Sequence, residues 1–295
     1  MAVLSSDEIE IRIEFERGVG NPTRVFRAMA GLIESDQLLN SDLALSIGTS
    51  VRTTLVLQDI EAASLKARLR TIIEEIPNEA LKACDVKKLI GSFLLKAKHK
   101  ILDWCSDRDT IPDREEVKLL GTDIHALAVQ SDIKIFPAYP QVDVATLLSD
   151  ISKIKSALHY LGANDRASLK SAEATSIYNP ALVVTEDVAL ELVTRETLAA
   201  KGERILKVKG PDFLGMSKWS FKYSGRMIEA KVLDEPWLHR FQSNQEQVQP
   251  GDSLRVVFHE KVSYGYNNEV VHTEYEVVSV IEVIRGPGSV QMLLE

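Results

Sequence analysis

Residues 218–233 constrain the fold more than any other stretch. Lys218-Trp-Ser-Phe-Lys-Tyr223 alternates polar with aromatic side chains, Ser224-Gly225 forms a two-residue turn, and Met227-Ile-Glu-Ala-Lys-Val-Leu233 alternates back. That is the pattern of a β-hairpin with one buried face. Pairing Tyr223 with Arg226 sets Trp219 opposite Ala230 and Phe221 opposite Ile228, a large-over-small fit on the buried side. The same register turns Glu229 and Lys231 outward beside Lys218, Ser220 and Lys222. A short helix over Pro236–Phe241 and a turn at Pro250-Gly251-Asp252 follow. A longer hairpin is then expected, with Ser253–Tyr264 and Glu269–Ile284 as its arms around Asn267-Asn268. Residues 201–295 therefore predict a small antiparallel β-rich, barrel-like domain.

The first two hundred residues read differently. Glu8-Ile-Glu-Ile-Arg-Ile-Glu-Phe-Glu16 alternates as a strand with one buried face. Asn21 and Pro22 then cap a helix carrying Val25, Phe26, Met29 and Leu32. A second helix is expected over Leu38–Ile47, a strand over Val51–Asp59, and a helix on Leu65, Leu69, Ile72, Ile73 and Ile76 up to Pro77. Leu89, Phe93, Leu94, Ile101 and Trp104 mark another helix. Val117, Leu120, Ile124 and Leu127 mark the next, opened by Pro112, Asp113, Glu115 and Glu116 at the positive end of its dipole. Ile135–Pro140 reads as an extended connector. Asp143 caps a helix over Val144–Leu161 with Asp150, Lys153 and Lys155 mostly outward. A strand through Ile177, a turn at Asn179-Pro180 and a helix over Asp187–Ala200 complete this part. The fold class is α+β: a largely helical, mixed α+β domain over residues 1–200, followed by the β-rich one.

Across 295 residues, 35 Lys plus Arg face 43 Asp plus Glu, a formal net charge of −8. Such a balance argues against indiscriminate binding to nucleic acid or anionic membranes, although a local basic patch can override it. The N-terminal residues lack a basic region followed by an apolar one, and no uncharged apolar run approaches the ~20 residues that span a bilayer. The expectation is a cytoplasmic protein with no membrane association. Cys84 and Cys105 lack CxxC spacing and read as small buried residues of helices. No cofactor or metal is expected, because the sequence holds no GxxxxGK[ST], GxSxG or HExxH. Gly18-x-Gly20 lacks the third glycine of a dinucleotide loop and reads as an ordinary strand-to-helix turn. The hairpin register sets His259 opposite Glu276 and Lys261 opposite Glu274, which suits cross-strand ion pairs better than metal ligation.

One constellation has catalytic spacing. Pro211-Asp212, followed by Glu229-Ala230-Lys231 on a hairpin strand, matches the two carboxylates and lysine of a Mg²⁺-dependent PD-(D/E)xK nuclease. Seven basic residues between Lys201 and Arg226, against Glu203 and Asp212, would attract a nucleic-acid backbone. The alternative is a solvated sheet face, on which Glu229 and Lys231 simply point to water, and this reading is preferred. Lys207, Lys209, Lys218, Lys222 and Arg226 are the candidate binding residues.

Lys218-Trp-Ser-Phe, Ile228-Glu-Ala-Lys-Val-Leu-Asp234, Trp237-Leu and Pro250-Gly-Asp-Ser-Leu-Arg255 resemble the C-terminal domain of a family of uncharacterised bacterial proteins. Asp59-Ile-Glu-Ala-Ala-Ser-Leu65 is similar to a string in the same proteins. The resemblance covers packing and turn residues and implies no activity. Its recurring features are the aromatics, Ala230 and Asp234. The functional expectation is a non-enzymatic interaction or recognition subunit of a bacterial cytosolic assembly. Another protein is the expected partner, with nucleic acid as the alternative through the basic segment. Nuclease chemistry at Asp212, Glu229 and Lys231 is the second reading, and small-molecule sensing by the barrel the third.

Overall fold

Residues 4–5, 7–47, 51–61, 65–75, 84–131, 141–249 and 251–286 are described by a computed structural model. Two compact units emerge, Met1–Leu192 and Val193–Glu295.

The first unit is built on a sheet of five antiparallel strands: β1 (Glu8–Glu14), β2 (Arg52–Glu61), β3 (Leu65–Glu75), β4 (Arg166–Lys170) and β5 (Thr175–Ile177), in the order β2-β3-β1-β4-β5. Ile9, Ile11 and Ile13 of β1 are buried on one face. On the other, Glu8 bonds Arg70 at 2.7 Å and Glu10 meets Arg68 at 3.5 Å. These charge pairs explain why β3 is a strand where a helical apolar spacing predicts a helix. Leu65, Ala67 and Leu69 are buried while Lys66, Arg68 and Arg70 face the acids of β1 and β2. Ile76 and Pro77 lie outside the described residues, as does the expected connector Ile135–Pro140.

Helix α1 spans Thr23–Ile47 and starts where Asn21 Oδ1 accepts the Thr23 amide at 2.9 Å. The sequence suggests a break near Glu34–Gln37, but the helix runs through because its polar residues are satisfied internally. Asp36 forms a buried ion pair with Lys98 at 2.7 Å, and Gln37 bonds the Thr53 carbonyl and Leu55 amide of β2. Phe26, an expected core residue, is exposed. Helices α2 (Cys84–Ser106), α3 (Arg114–Gln130) and α4 (Val144–Leu158) follow. Helices α1 and α2 contact the sheet, α4 packs on α1, and α3 packs on α2 and α4. Asp143 caps α4 as expected, accepting the Thr146 amide at 2.9 Å, and Asp113, expected as one of the acids that open α3, is its N-cap and accepts the Glu116 amide at 2.9 Å.

The α1–α4 contact is close at Gly31, where an added Cβ would sit 2.8 Å from Ala157 Cβ. Asp150 is not outward: it is 2% exposed on the buried side of α4. The expected strand through Ile177 is a hairpin, β4 and β5, tied to α2 by buried His99, whose ring nitrogens lie 2.7 Å from Ser176 Oγ and 2.9 Å from Ser171 Oγ. Cys105 is buried in α2; the Cys84 side chain lies outside what is described. Helix α5 (Glu186–Val193) ends seven residues before the expected Ala200, because Thr194 begins a strand.

The second unit is a closed five-stranded barrel with a helix at one end. Its strands are β6 (Thr194–Gly210), β7 (Trp219–Tyr223), β8 (Arg226–Val232), β9 (Ser253–Gly265) and β10 (Val270–Ile284), with α6 (Glu235–Gln242) between β8 and β9. Around the barrel the order is β10-β8-β7-β6-β9, closed by β9 on β10. Every pairing is antiparallel except β8 with β10, where Lys231 and Val232 run parallel beside Glu276 and Val277. The β7–β8 hairpin has the expected register, Tyr223 with Arg226 and Trp219 with Ala230, turning through Ser224 and Gly225 at positive φ. Residues 194–200 contain helix-favouring Leu-Ala-Ala, yet they pair with β9 on both sides of a register shift at Arg195. Tertiary pairing overrides local propensity there.

The barrel core comprises Leu206, Val208, Trp219, Phe221, Ile228, Ala230, Leu254, Val256, Phe258 and Val277, with Trp237, Leu238 and Phe241 of α6. Trp219 meets the Phe241 ring at 4.8 Å and the Trp237 ring at 5.7 Å, so α6 plugs that end. Asp234 fixes the helix: one carboxylate oxygen caps it at the Trp237 amide, 3.1 Å, and the other accepts the Val280 amide of β10 at 3.0 Å. Buried Asp252 likewise joins the β9 entry to the end of β10, accepting from Gln249 N, Gly286 N and Arg285 Nη1, each at 2.9 Å.

Candidate functional site

The candidate binding residues lie on the barrel unit, where strand register decides which of them share a face. Inward positions on β6 and β7 are Leu206, Val208, Trp219 and Phe221, which turns Lys207, Lys222 and Ser220 outward. Lys207 is directly opposite Lys222 across the β6–β7 ladder. Lys209 occupies a register shift between Val208 and Gly210, and Lys218 immediately precedes β7. All four lysines are exposed. Among the described residues, none of them has a carboxylate within ion-pairing distance. Elsewhere in the same barrel Arg255 pairs with Glu282 at 3.2 Å, Arg285 with Asp252 at 2.9 Å, and Lys261 with Glu276 at 3.0 Å.

Arg226 stands apart from this group. Its partner Tyr223 packs against the core, and directly opposed residues share a face, so Arg226 belongs to the inner row at the barrel end. The outer face instead gains Met227, opposite Lys222, and Lys231, beside Glu276 of β10.

Asp212, Glu229 and Lys231 occupy different settings. Asp212 lies in the loop from β6 to β7, where one oxygen accepts the Leu214 and Gly215 amides at 3.0 and 2.9 Å. The other accepts the Ser217 amide at 2.9 Å and its hydroxyl at 2.6 Å. The Ser217 hydroxyl first, and then these amides, hold the Asp212 carboxyl well below the usual carboxylate range. Its lone pairs are engaged in shaping the loop. Glu229 projects to solvent from β8 opposite Ser220. Among the described residues, no group of three His, Cys, Asp or Glu side chains is placed to hold a metal ion.

The loop that Asp212 organises presents apolar side chains: Leu214 is 96% exposed, with Phe213 and Met216 also exposed. Phe213 stacks on Phe241 at 5.3 Å, and Gln242 Nε2 donates to the Gly215 carbonyl at 2.7 Å, so the loop is braced on α6. The face therefore combines lysines without ion pairs, and the exposed Glu229 of β8, with apolar groups at its edge.

On the far side of the barrel, His259 lies opposite Glu276 and Lys261 opposite Glu274, as expected, with separations of 3.1 and 3.2 Å. Burial acts against ionisation of Glu276, but the Lys261 and His259 contacts outweigh it and hold its pKa below the ordinary value. These charges are mutually compensated.

In the first unit, Gly18 and Gly20, both at positive φ, line a cavity of about 520 Å³ with Phe15, Val19, Val25, Phe26, Ile60 and Leu65. Arg24 at its wall is committed to buried Asp165 at 2.7 Å and to the Glu16 carbonyl. The turn thus offers no uncompensated positive charge to an anion, and its walls are mainly apolar.

Comparison with family models, with curated proteins and with solved structures returned no match. Sequence reasoning finds the four lysines by their density. It does not find the inner-row residues Arg204, Glu260 and Tyr275, although Arg204 has the same parity as buried Leu206 and Val208.

Proposed function

We propose that the barrel unit is a non-enzymatic recognition module that holds a single-stranded nucleic acid by its phosphates across the β6–β7–β8 face. The observation that carries this is the direct opposition of Lys207 and Lys222, neither of which has a carboxylate within ion-pairing distance among the described residues. Like charges directly opposite across a ladder destabilise a sheet. A phosphate backbone lying over them reverses that repulsion. The charge distribution agrees with this local reading: residues 193–295 carry 13 Lys plus Arg against 14 Asp plus Glu, so nearly all of the net −8 belongs to the first unit.

Two further features support the reading. Numbered within the unit, the strands run 1-2-3-5-4 around a closed barrel, with strands 3 and 5 parallel and a helix between strands 3 and 4. That is the arrangement of oligonucleotide- and oligosaccharide-binding barrels, whose second and third strands form the binding surface. This support is analogy at the level of fold. Met227 and the exposed loop side chains Leu214 and Met216 provide apolar contact for bases beside the lysines.

The test is fluorescence anisotropy of labelled single-stranded DNA and RNA at several salt concentrations with Mg²⁺ present. Four phosphate contacts give a slope of about −3 in log K against log salt. Lys207→Glu with Lys222→Glu should cut affinity at least about tenfold and flatten the slope, while thermal stability moves by less than ~0.5 kcal/mol. The probe should be recovered intact. Divalent-dependent cleavage lost in Glu229→Gln would replace this reading with the nuclease. Displacement by polyglutamate as readily as by oligonucleotide would point to an acidic protein partner.

A further inference from the structure

The barrel has two unlike ends. One is plugged by Trp237, Leu238 and Phe241 of α6. At the other, each strand contributes one inner-row side chain: Arg204 from β6, Tyr223 from β7, Arg226 from β8, Glu260 from β9 and Tyr275 from β10. Register sets the face these side chains take, because Tyr223 pairs with Arg226, Glu260 with Tyr275, and Arg204 with inward-facing Val256; the contacts of Tyr223 with Arg204 and of both tyrosines with Phe258 gather them.

The floor beneath the ring is Phe258, which is buried. Tyr223 and Tyr275 pack against it from two sides, with ring centroids at 5.4 and 5.6 Å. Both tyrosines are half-buried, and the Tyr223 hydroxyl meets Arg204. Arg204 is held in place by two acceptors, the Tyr223 hydroxyl at 2.9 Å from Nε and the Glu203 carbonyl at 2.8 Å from Nη1. Neither acceptor is a carboxylate. Gly202, two residues before Arg204 on the same face and opposite Phe258, leaves room for that guanidinium, since an added Cβ would lie 3.1 Å from Nη1. Arg226 has no ion pair among the described residues. Burial first, and then Glu260, push the Tyr275 phenol above its ordinary value, so at neutral pH it remains a hydrogen-bond donor.

We propose that this end of the barrel is a second recognition site, taking the phosphorylated terminal nucleotide of the strand bound on the outer face. The composition of the ring selects this chemistry. Two guanidiniums and two phenolic hydroxyls suit a terminal phosphate, which carries more charge and more free oxygens than an internal phosphodiester. A lone carboxylate among them, Glu260, is unfavourable toward a bare polyphosphate but accepts from a sugar hydroxyl or a base amine. The tyrosine rings offer a surface for the base. Tyr223 and Arg226 also adjoin Lys222 and Met227 in the same hairpin, so a strand following the lysines reaches the rim. This rests on the outer-face reading above.

The experiment compares oligothymidylates of about a dozen nucleotides, either linear with a 5′ or 3′ phosphate or closed into a circle, on the full-length protein. One phosphorylated linear form should bind about tenfold tighter than the circle. Arg226→Ala and Tyr275→Phe should each reduce that form to the level of the circle and leave the circle unchanged. Lys207→Glu with Lys222→Glu should weaken all forms. Equal binding of linear and circular forms, or a uniform loss in Arg226→Ala, overturns the end site while leaving the outer-face reading intact. If no oligonucleotide binds, the outer-face reading fails and thymidine monophosphate becomes the probe. Shifts of the Arg204 and Arg226 Nε–H NMR signals that vanish in Tyr275→Phe would then sustain the end site, and their absence would overturn it.

Discussion

Asp150 is a carboxyl group in a place where water would ordinarily be needed. It is 2% exposed, its oxygens meet no donor, and the group facing it from α1 is a second acid, Asp42. Burial, and then the Asp42 charge, raise its pKa to about 7. The folded state therefore binds this proton more tightly than the unfolded chain does. Its contribution is greatest in acid, is lost as pH rises from the ordinary carboxylate range toward 7, and changes little above that. Asp150→Asn removes the titration without changing shape. It should raise stability at pH 8 by on the order of 2–4 kcal/mol and have little effect near pH 4, measured by urea unfolding at the two values. Equal effects at both pH values would mean that Asp150 is ionised throughout. His99 has the opposite dependence: burial lowers its pKa, so its contribution is present above the unfolded histidine range and declines as pH falls through it.

At the scale of elements, the β7–β8 hairpin is the part of the barrel most plainly written in the chain. Trp219 is 1% exposed over Ala230 and against α6. Trp219→Ala should cost ~3–5 kcal/mol, read from a shift in the urea midpoint of the barrel transition; a loss below ~1 kcal/mol would show that α6 closes over the gap. Strict alternation made the hairpin and its register legible, capping residues made the starts of α1 and α4 legible, and a proline followed by acids marked the start of α3. Periodicity failed where apolar spacing fitted two patterns. Leu65, Leu69, Ile72 and Ile73 recur as on a helix, but Lys66, Arg68 and Arg70 are matched to acids on neighbouring strands, and only the fold supplies those partners. The polar run inside α1 misled for the same reason, since Asp36 is buried against Lys98, sixty-two residues away. The candidate face was legible as a density of lysines, whereas the separation of Arg226 from them depended on which way one side of a strand turns. The ring at the barrel end draws on five strands and a parallel β8–β10 contact that no local pattern announces.

At the scale of the whole chain, the two units differ in construction and in charge, and each has its own core. In the barrel unit the buried cluster from Leu206 to Val277 is drawn from its own strands and α6. The ladders β6–β7, β7–β8, β8–β10, β10–β9 and β9–β6 leave no strand waiting for a neighbour from elsewhere. A unit of this kind has what a domain needs to fold alone. The fragment 193–286 should therefore be soluble and unfold in one cooperative urea transition, with a slope of about 1–3 kcal/mol/M. Tryptophan reports the event directly, because Trp219 and Trp237 are both buried in this unit while Trp104 belongs to the other. Folded, the fragment should emit at short wavelength, and the emission should shift red in step with loss of the circular-dichroism signal. The full-length chain should show the same barrel transition, at a midpoint moved only by whatever the first unit contributes. An unfolded fragment, or emission that changes without a matching change in secondary structure, would mean that residues 1–192 complete the barrel core.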